Sequence, residues 1–316
     1  MDHDVFIDRM YNGQEIEGFY LLNDAAVRTS ANGKSFLSAK IADCSGAMEM
    51  KVWDYSGPIG AADSGKVIKI RGEVSEFKGA LQMTAKRIRL ADPDTDHFDL
   101  ANLVPVAPID VSSTFEEVRS LISGIEDEDY RKVCLTMLER HGDAFRSIPA
   151  AKSVHHEFLS GLLMHTSDML RLADFLAYQY HEVIDRSLLL AGTFLHDFAK
   201  EKEFTFSHLG LVTDYSVKGK LLGHLVMGAQ EIAEIAKELN IPEDKSVLLQ
   251  HMVLSHHGEP EFGAAVIPQC AESELLSFID RIDSRMEIYA EVFQQVPVGS
   301  FSNMIFSLDK KVYHHE

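Results

Sequence analysis

A histidine and an aspartate stand side by side, His196-Asp197, at the polar end of the apolar stretch Leu188–Leu195, and Lys200 follows three residues later. Taking an imidazole and a carboxylate into an apolar setting is costly unless something binds them. A divalent metal is the usual compensation, because adjacent imidazole and carboxylate groups can face one ion or bridge two. The chain holds more groups of the same kinds: eleven of its 15 histidines fall between His141 and His257. His165 sits in the apolar run from Gly161, His224 in the run from Leu221, and His256-His257 at the end of a helical run before Gly258. Asp280 lies in the stretch Leu275–Asp283, which has few other polar groups on its inner face. These residue types suit Mn²⁺, Fe²⁺ or Zn²⁺ when rigid helices present them. A bound ion lowers the pKa of its water from about 15.7 toward about 7, and two ions can stabilise both the attacking and the leaving oxygen of a phosphodiester displacement. Lys200, one helical turn beyond Asp197, is placed for its ammonium to meet a phosphate oxygen. No serine, cysteine or threonine motif competes for a nucleophile's role. Asp197 and Lys200 are therefore the candidate catalytic residues.

Helices must position that constellation. Helical periodicity starts at Ser113, where Ser113-Thr-Phe-Glu116 reads as a capping box, and persists to about Val292. The strongest segments are Phe158–Tyr180, Arg186–Phe198, Leu221–Leu239, Ser246–Ser255 and Glu272–Val292. The stretch Pro297–Glu316 has no clear period. Helical faces such as Phe115–Ile122 can pack within the domain or against a second copy of the chain, so a homo-oligomer stays open.

Residues 1–91 differ in kind. Ile16–Arg28, Ser35–Asp43, Ala47–Trp53, Lys66–Val74 and Leu81–Leu90 read as five strands, the number expected of an oligonucleotide/oligosaccharide-binding (OB) β-barrel, with Gly33, Gly46, Gly65, Gly72 and Gly79 at turns. Phe36, Trp53 and Phe77 are candidates to stack on bases; otherwise they fill the barrel core. Trp53 falls with Glu49 and Lys51 on the face opposite Met48, Met50 and Val52, which favours exposure. Lys51 and Arg87, with Lys34, Lys40, Lys86 and Arg89, are candidates to track phosphates. Residues 92–112, acidic and bearing Pro93, Pro105 and Pro108, read as a linker.

Charge narrows the partners. The net charge is −19, yet residues 1–91 carry 12 basic and 12 acidic side chains, so the remainder holds the whole excess. Such a chain does not hold long duplex DNA by charge alone. Nucleic acid would be held by a local surface or by metal, and the neutral N-terminal segment is the better candidate. No apolar run is long enough to span a bilayer, and the acidic N-terminus lacks an apolar signal core. The three cysteines, Cys44, Cys134 and Cys270, suit small buried residues of a reducing compartment. A cytoplasmic protein without membrane contact is expected.

The order of His165, His196-Asp197 and Asp280 resembles the HD superfamily of metal-dependent phosphohydrolases, whose domains are all-helical. An OB-like segment ahead of such a domain, with His155-His-Glu-Phe, Gly223-His and Leu254-Ser-His-His-Gly, is similar to the YhaM-type bacterial 3′→5′ exoribonuclease family over about residues 16–292. The resemblance implies an OB-fold barrel at 1–91, a linker at 92–112 and an all-α HD domain at 113–316. It implies Mn²⁺-favoured hydrolysis of single-stranded RNA from the 3′ end to nucleoside 5′-monophosphates, with DNA as an open second substrate. One or two ions are expected, with Fe²⁺, Mg²⁺, Zn²⁺ or Co²⁺ as other occupants. By position His165, His196, Asp197 and Asp280 match the core ligands, and Asp280 is preferred over Asp283. His224 and His256 or His257 match a second metal site, with neither of the last two preferred. Phe198-Ala199 departs from the aliphatic residue and glycine that many HD proteins carry before the lysine.

Bland readings stand beside these. His196-Asp197 alone is also what a polar helix end looks like, and His165 what a satisfied core histidine looks like. His155 and His156 line the site or cap a helix, and His181, His208 and His251 read as structural or solvated. Two other functions compete: an HD-type nucleotide or cyclic-nucleotide phosphohydrolase, and a nucleic-acid-binding regulator with an incidental HD site. Mononucleotide substrates would separate the first from a polymer nuclease, and nucleic-acid binding without metal would favour the second.

Overall fold

Alternation of apolar and polar side chains produces the N-terminal sheet. In the computed structural model, which describes every residue except 31, 78, 93–94, 151–157 and 208, the short strand β1 (Asp2–His3) precedes five long ones. These are β2 (Glu15–Thr29), β3 (Ser35–Asp43), β4 (Gly46–Val52), β5 (Val67–Phe77) and β6 (Ala80–Leu90). On β3 every second residue turns inward, with Leu37, Ala39 and Ile41 buried. On β4 the inward set is Met48, Met50 and Val52. Pairing runs β2–β3–β4–β6–β5 and back to β2, so no barrel edge is left open. Within that circuit all neighbours are antiparallel except β4 and β6, which are parallel at Glu49–Lys51 against Gln82–Thr84. That closed circuit is the five-stranded OB barrel. Tyr20, Leu22, Ile68, Ile70 and Met83 fill it, and the Tyr20 hydroxyl donates to the Val5 carbonyl at 2.7 Å.

Gly72 corrects one expectation. It lies inside β5, not at a turn, where the register against β6 shifts between Arg71 and Gly72. A Cβ there would sit 2.4 Å from the Thr84 carbonyl oxygen, so only glycine permits the close strand approach.

By contacts the chain divides into Met1–Val106 with Phe206–Leu211, and Ala107–Thr205 with Val212–Glu316. The stretch read as linker is not bare: it carries a 3₁₀ turn at Leu100–Asn102 and buries Leu103 and Val104.

The second unit is helical: α1 (Val111–Ser123), α2 (Glu128–Ser147), α3 (Gly161–Gln179), α4 (Arg186–Leu195), α5 (Lys200–Glu203), α6 (Val217–Glu238), α7 (Glu243–Ser255) and α8 (Ala271–Gln295). Strands β7 (Phe204–Phe206) and β8 (Val212–Tyr215) interrupt the helices. Helix α1 starts three residues earlier than the Ser113 capping box predicted, because the Asp110 carboxylate accepts the Ser113 N–H at 2.7 Å. Asp127 and Asp185 cap α2 and α4 in the same manner. Phe115, Val118 and Ile122 of α1 are buried in this unit, against Phe145 among others. From Ser187 to Leu195, α4 is buried on all sides, which makes it the hub of the helical core. The C-terminal stretch adds β9 (Ser300–Phe301) and β10 (Tyr313–His314), and packs Leu308 and Val312 on Ile288 and Val292 of α8. Among the described residues no helix is long and apolar enough to cross a membrane. Cys134 is buried as expected, but Cys44 is exposed and Cys270 half-buried; Cys44 follows the last residue of β3, at the turn into β4.

Candidate metal centre

Six helices bring the sequence-predicted side chains to one place. His165 comes from α3, His196 and Asp197 follow the end of α4, and Lys200 starts α5. His224 lies on α6, His256 and His257 follow α7, and Asp280 lies on α8. All but His257, Asp280 and Lys200 are buried.

The Asp197 carboxylate is the meeting point. Its Oδ2 lies 3.3 Å from His196 Nε2, 3.8 Å from His165 Nε2 and 2.6 Å from Lys200 Nζ. Its Oδ1 faces the other way, 3.4 Å from His224 Nε2 and 3.8 Å from His256 Nε2. Asp280 Oδ1 joins the first side, 3.5 Å from His165 Nε2. Donor atoms of His165, His196 and Asp280 lie within 4.8 Å of one another, as do those of His224, His256 and His257, and those of His196, Asp197 and His256. Both His256 and His257 belong to the cluster.

Secondary contacts aim the rings. His196 Nδ1 donates to the Thr193 carbonyl and His256 Nδ1 to the Val253 carbonyl, each at 2.7 Å. His165 Nδ1 faces Asp283 Oδ2 at 2.6 Å, and His224 Nδ1 faces Glu203 Oε1 at 3.0 Å. In each case the Nε2 atom is turned toward the cluster, the arrangement that outer carboxylates and carbonyls impose on metal-binding histidines. Asp283, a competitor of Asp280 in the sequence, is thus an orienting group. Glu203 went unnoticed in the sequence; its spacing of three from Lys200 on a helix was the available signal.

Gly223 explains the Gly-His pair. Its φ of 71° and ψ of 163° break α6 locally, in a region essentially reserved for glycine. The break frees the His224 backbone N–H to donate to Glu203 Oε1 at 3.0 Å. One carboxylate oxygen therefore holds both the ring and the backbone of His224.

Electrostatics match the geometry. Burial pushes the His165 imidazole down to about 3 and His257 to about 4, and takes His256 well below its ordinary value. Neutral rings with free lone pairs result. For Asp197, burial acts to raise the pKa and is outweighed by Lys200 and His196, so the carboxyl is held well below its ordinary value. His196 is the exception among the rings: burial acts to lower its pKa, and the Asp197 carboxylate outweighs that and raises it.

Three buried polar atoms have no hydrogen-bond partner among the described residues of this centre: Asp197 Oδ1, His224 Nε2 and His257 Nδ1. Buried polar groups rarely go unsatisfied. Converging imidazole and carboxylate donors with unmet valences fit a divalent-metal site. An open cleft of about 580 Å³ leads to it, lined by Lys200, Phe204, Tyr215, Phe262, Arg281 and Arg285 among others. The Phe198-Ala199 departure does not displace Lys200: Phe198 packs on Phe145 and Phe194 while the lysine reaches Asp197.

His155, His156 and His208 lie outside the described residues. His181 is exposed, and His251 accepts the Gln269 N–H at 2.9 Å, a structural role.

The barrel's predicted residues also gather. Phe36 and Trp53 have ring centroids 5.0 Å apart, and Lys51 Nζ lies 5.9 Å from each and 6.0 Å from Phe77. Trp53 is 52 % and Phe77 56 % exposed, so neither fills the core. Arg87 lines a groove with Trp53, Tyr55, Lys69 and Arg71.

A model of the HD domain family matches residues 162–285, a span that includes every member of the metal cluster. The 3′-5′ exoribonuclease YhaM of Oceanobacillus iheyensis is 34 % identical over 304 residues, 96 % of this chain and 94 % of that protein. The 3′-5′ exoribonuclease YhaM of Shouchella clausii is 34 % identical over 303 residues, 96 % of this chain and 93 % of that protein.

Proposed function

Since the chain belongs to the YhaM-type 3′→5′ exoribonuclease family and is a metal-dependent hydrolase, we propose that it shortens single-stranded RNA from the 3′ end and releases nucleoside 5′-monophosphates. DNA single strands are its second substrate, Mn²⁺ its preferred ion, and the cytoplasm its place of work. The observation that carries this reading is the Asp197 carboxylate, whose two oxygens face two separate sets of donors. His165, His196, Asp197 and Asp280 would hold one ion, and Asp197, His224, His256 and His257 a second. Ions bound there supply a nucleophile at neutral pH by acidifying water and offset the charge that develops on a phosphodiester.

The protein's own part is positioning. Asp283 and Glu203 fix the rings of His165 and His224. Lys200 Nζ, on the cleft wall beside Asp197, is placed to offset phosphate charge. The barrel, residues 1–91, serves as the capturing domain, with Phe36, Trp53 and Phe77 stacking on bases and Lys51 and Arg87 meeting phosphates. Their clustering on an exposed face supports that role. Residues 113–316 form the phosphohydrolase domain, and 92–112 join the two.

The test is a time course on 5′-labelled single-stranded RNA with Mn²⁺, wild type beside Asp197→Ala, resolved on a sequencing gel. A ladder shortening from the 3′ end in wild type alone is the expected result. Intact RNA in both lanes, despite bound metal, would transfer the site to a small phosphorylated substrate.

A further inference from the structure

Arg281 and Arg285 stand apart from the other arginines of the helical unit. Arg119, Arg140, Arg171 and Arg186 each pair with a carboxylate. Arg131 donates to the Ile125 carbonyl, and Arg146 lies over the Phe115 ring. Among the described residues no carboxylate lies within ion-pair distance of Arg281 or Arg285. Acidic residues outnumber basic ones 37 to 18 beyond residue 91, so partners were plentiful. Among the described residues the fold leaves these two cations without a carboxylate partner, Arg281 lying over the Phe262 ring, and both line the cleft that holds the histidine and aspartate cluster.

Their placement on α8 is regular. Phe278, Arg281 and Arg285 are three and four residues apart, which puts them on one face of the helix. The two arginines are displaced by about 6 Å along the axis. Phe278 is 49 % exposed and Phe262, which lines the same cleft, is 62 % exposed. The Arg281 guanidinium carbon lies 5.5 Å from the Phe262 ring centroid. Asp280 sits on the adjoining flank and faces His165.

Resting on the nuclease reading above, we propose that this stripe is the subsite for the strand upstream of the scissile bond. Arg281 and Arg285 hold successive phosphates, and Phe262 and Phe278 stack on unpaired bases. Two cations spaced along a helix suit a repeated anion better than one phosphate monoester. Exposed aromatic rings beside them suit bases that are free to leave a duplex stack. Stacking accepts every base, so the subsite selects single strands without reading sequence.

The test uses the full chain and two readouts. First, affinity for a fluorescein-labelled oligouridylate is measured by anisotropy in EDTA across a salt series, for wild type and for Arg281→Ala/Arg285→Ala. The expected result is weaker binding, with the log–log salt slope reduced by about 0.7 for each phosphate that is no longer neutralised. Phe262→Ala is expected to weaken binding by about 5-fold or more. Second, Mn²⁺-dependent hydrolysis of bis(p-nitrophenyl) phosphate, a diester with neither bases nor neighbouring phosphates, is expected to fall far less in the double variant than hydrolysis of the oligouridylate. Wild-type affinity and slope in the double variant would overturn the subsite, as would an equal loss of small-diester turnover. The nuclease reading fails separately, if wild type binds the oligouridylate but leaves it intact with Mn²⁺.

Discussion

His196 and His256 close two different helices in the same way. Each ring donates Nδ1–H to the carbonyl three residues earlier at 2.7 Å, and the two ring centroids lie 5.0 Å apart, edge to face. The frayed end of a helix offers carbonyls that lack an intrahelical donor. Here α4 and α7 each use one to lock a ring and turn its Nε2 toward Asp197. The candidate metal centre is thus an extension of two helix ends, and its precision derives from a buried helical core.

The two oxygens of Asp197 face different donor sets, so losing this side chain disturbs both. Asp197→Asn is expected to lose both ions, whereas Asp280→Ala and His224→Ala each weaken one. Metal content after dialysis against Mn²⁺, measured by mass spectrometry, separates the cases. Retention of one ion per chain in Asp197→Asn would show that the carboxylate serves a single ion.

Glu203 and Asp283 each face the Nδ1 atom of one ring, His224 and His165, and turn its Nε2 toward the cluster. Outer carboxylates of this kind change metal affinity or activity by about 10- to 100-fold when removed. Glu203→Gln and Asp283→Asn are expected to lower Mn²⁺ affinity by that factor, with thermal stability in EDTA nearly unchanged. Calorimetric titration with Mn²⁺ provides the number. Wild-type affinity in both would make these carboxylates mere fillers of space.

The residues of the candidate metal centre were legible in the sequence because a histidine or aspartate in an apolar helix is conspicuous. Strands were legible for the related reason that alternation of the Leu37, Ala39, Ile41 kind has few other causes. The rest was hidden for physical reasons. Helix α5 has four residues, too few to show a period, and so Glu203 was passed over. The Leu221–Leu239 pattern read as one helix because periodicity does not register a single kink at Gly223. Ser113 looked like a cap since its sequence fits, but Asp110 caps the helix one turn earlier and accepts the N–H of Ser113 itself. Nothing in the sequence sets Arg281 and Arg285 apart from the other charged side chains of the helical segment. Only the missing partners distinguish them, and partners are a property of the folded chain.

Gly223 offers a test of the kink. At φ 71° and ψ 163° a Cβ introduces strain of about 1–3 kcal/mol. Gly223→Ala is expected to lower stability by that amount, or to straighten α6 and withdraw the His224 N–H from Glu203. Denaturant unfolding together with Mn²⁺ titration distinguishes the routes. An alanine variant with unchanged stability and unchanged metal affinity would mean that the kink is incidental.

The last prediction concerns pH and lies behind the metal site. His141 of α2 faces Glu201 Oε2 at 2.6 Å through Nδ1 and Glu231 Oε1 at 2.7 Å through Nε2, while Lys202 Nζ meets Glu231 Oε2 at 2.7 Å. Hydrogen bonds to Glu201 and Glu231 raise the His141 imidazole from 6.5 to about 9. A folded-state pKa above the unfolded one gives stability that is full below about pH 6.5 and is lost as pH rises through about 9. A tenfold change in proton affinity is worth about 1.4 kcal/mol, so the loss across that window is at most about 3.5 kcal/mol, which solvent screening of this half-buried group lowers to about 2–3 kcal/mol. Glu231 has the opposite sense: burial is outweighed by His141 and Lys202, and its pKa falls to about 2, so its contribution is present above about pH 4.5 and lost toward about 2. The pair is at full strength near pH 5–6. Urea unfolding from pH 6 to 10 is expected to show a decline in wild type that His141→Gln lacks, the two curves converging above about pH 9. Parallel curves would mean that His141 is neutral in the folded protein. Because Glu201 and Lys202 share α5 with Lys200 and Glu203, loosening this latch is also expected to weaken Mn²⁺ binding above pH 9, without any change to a ligand.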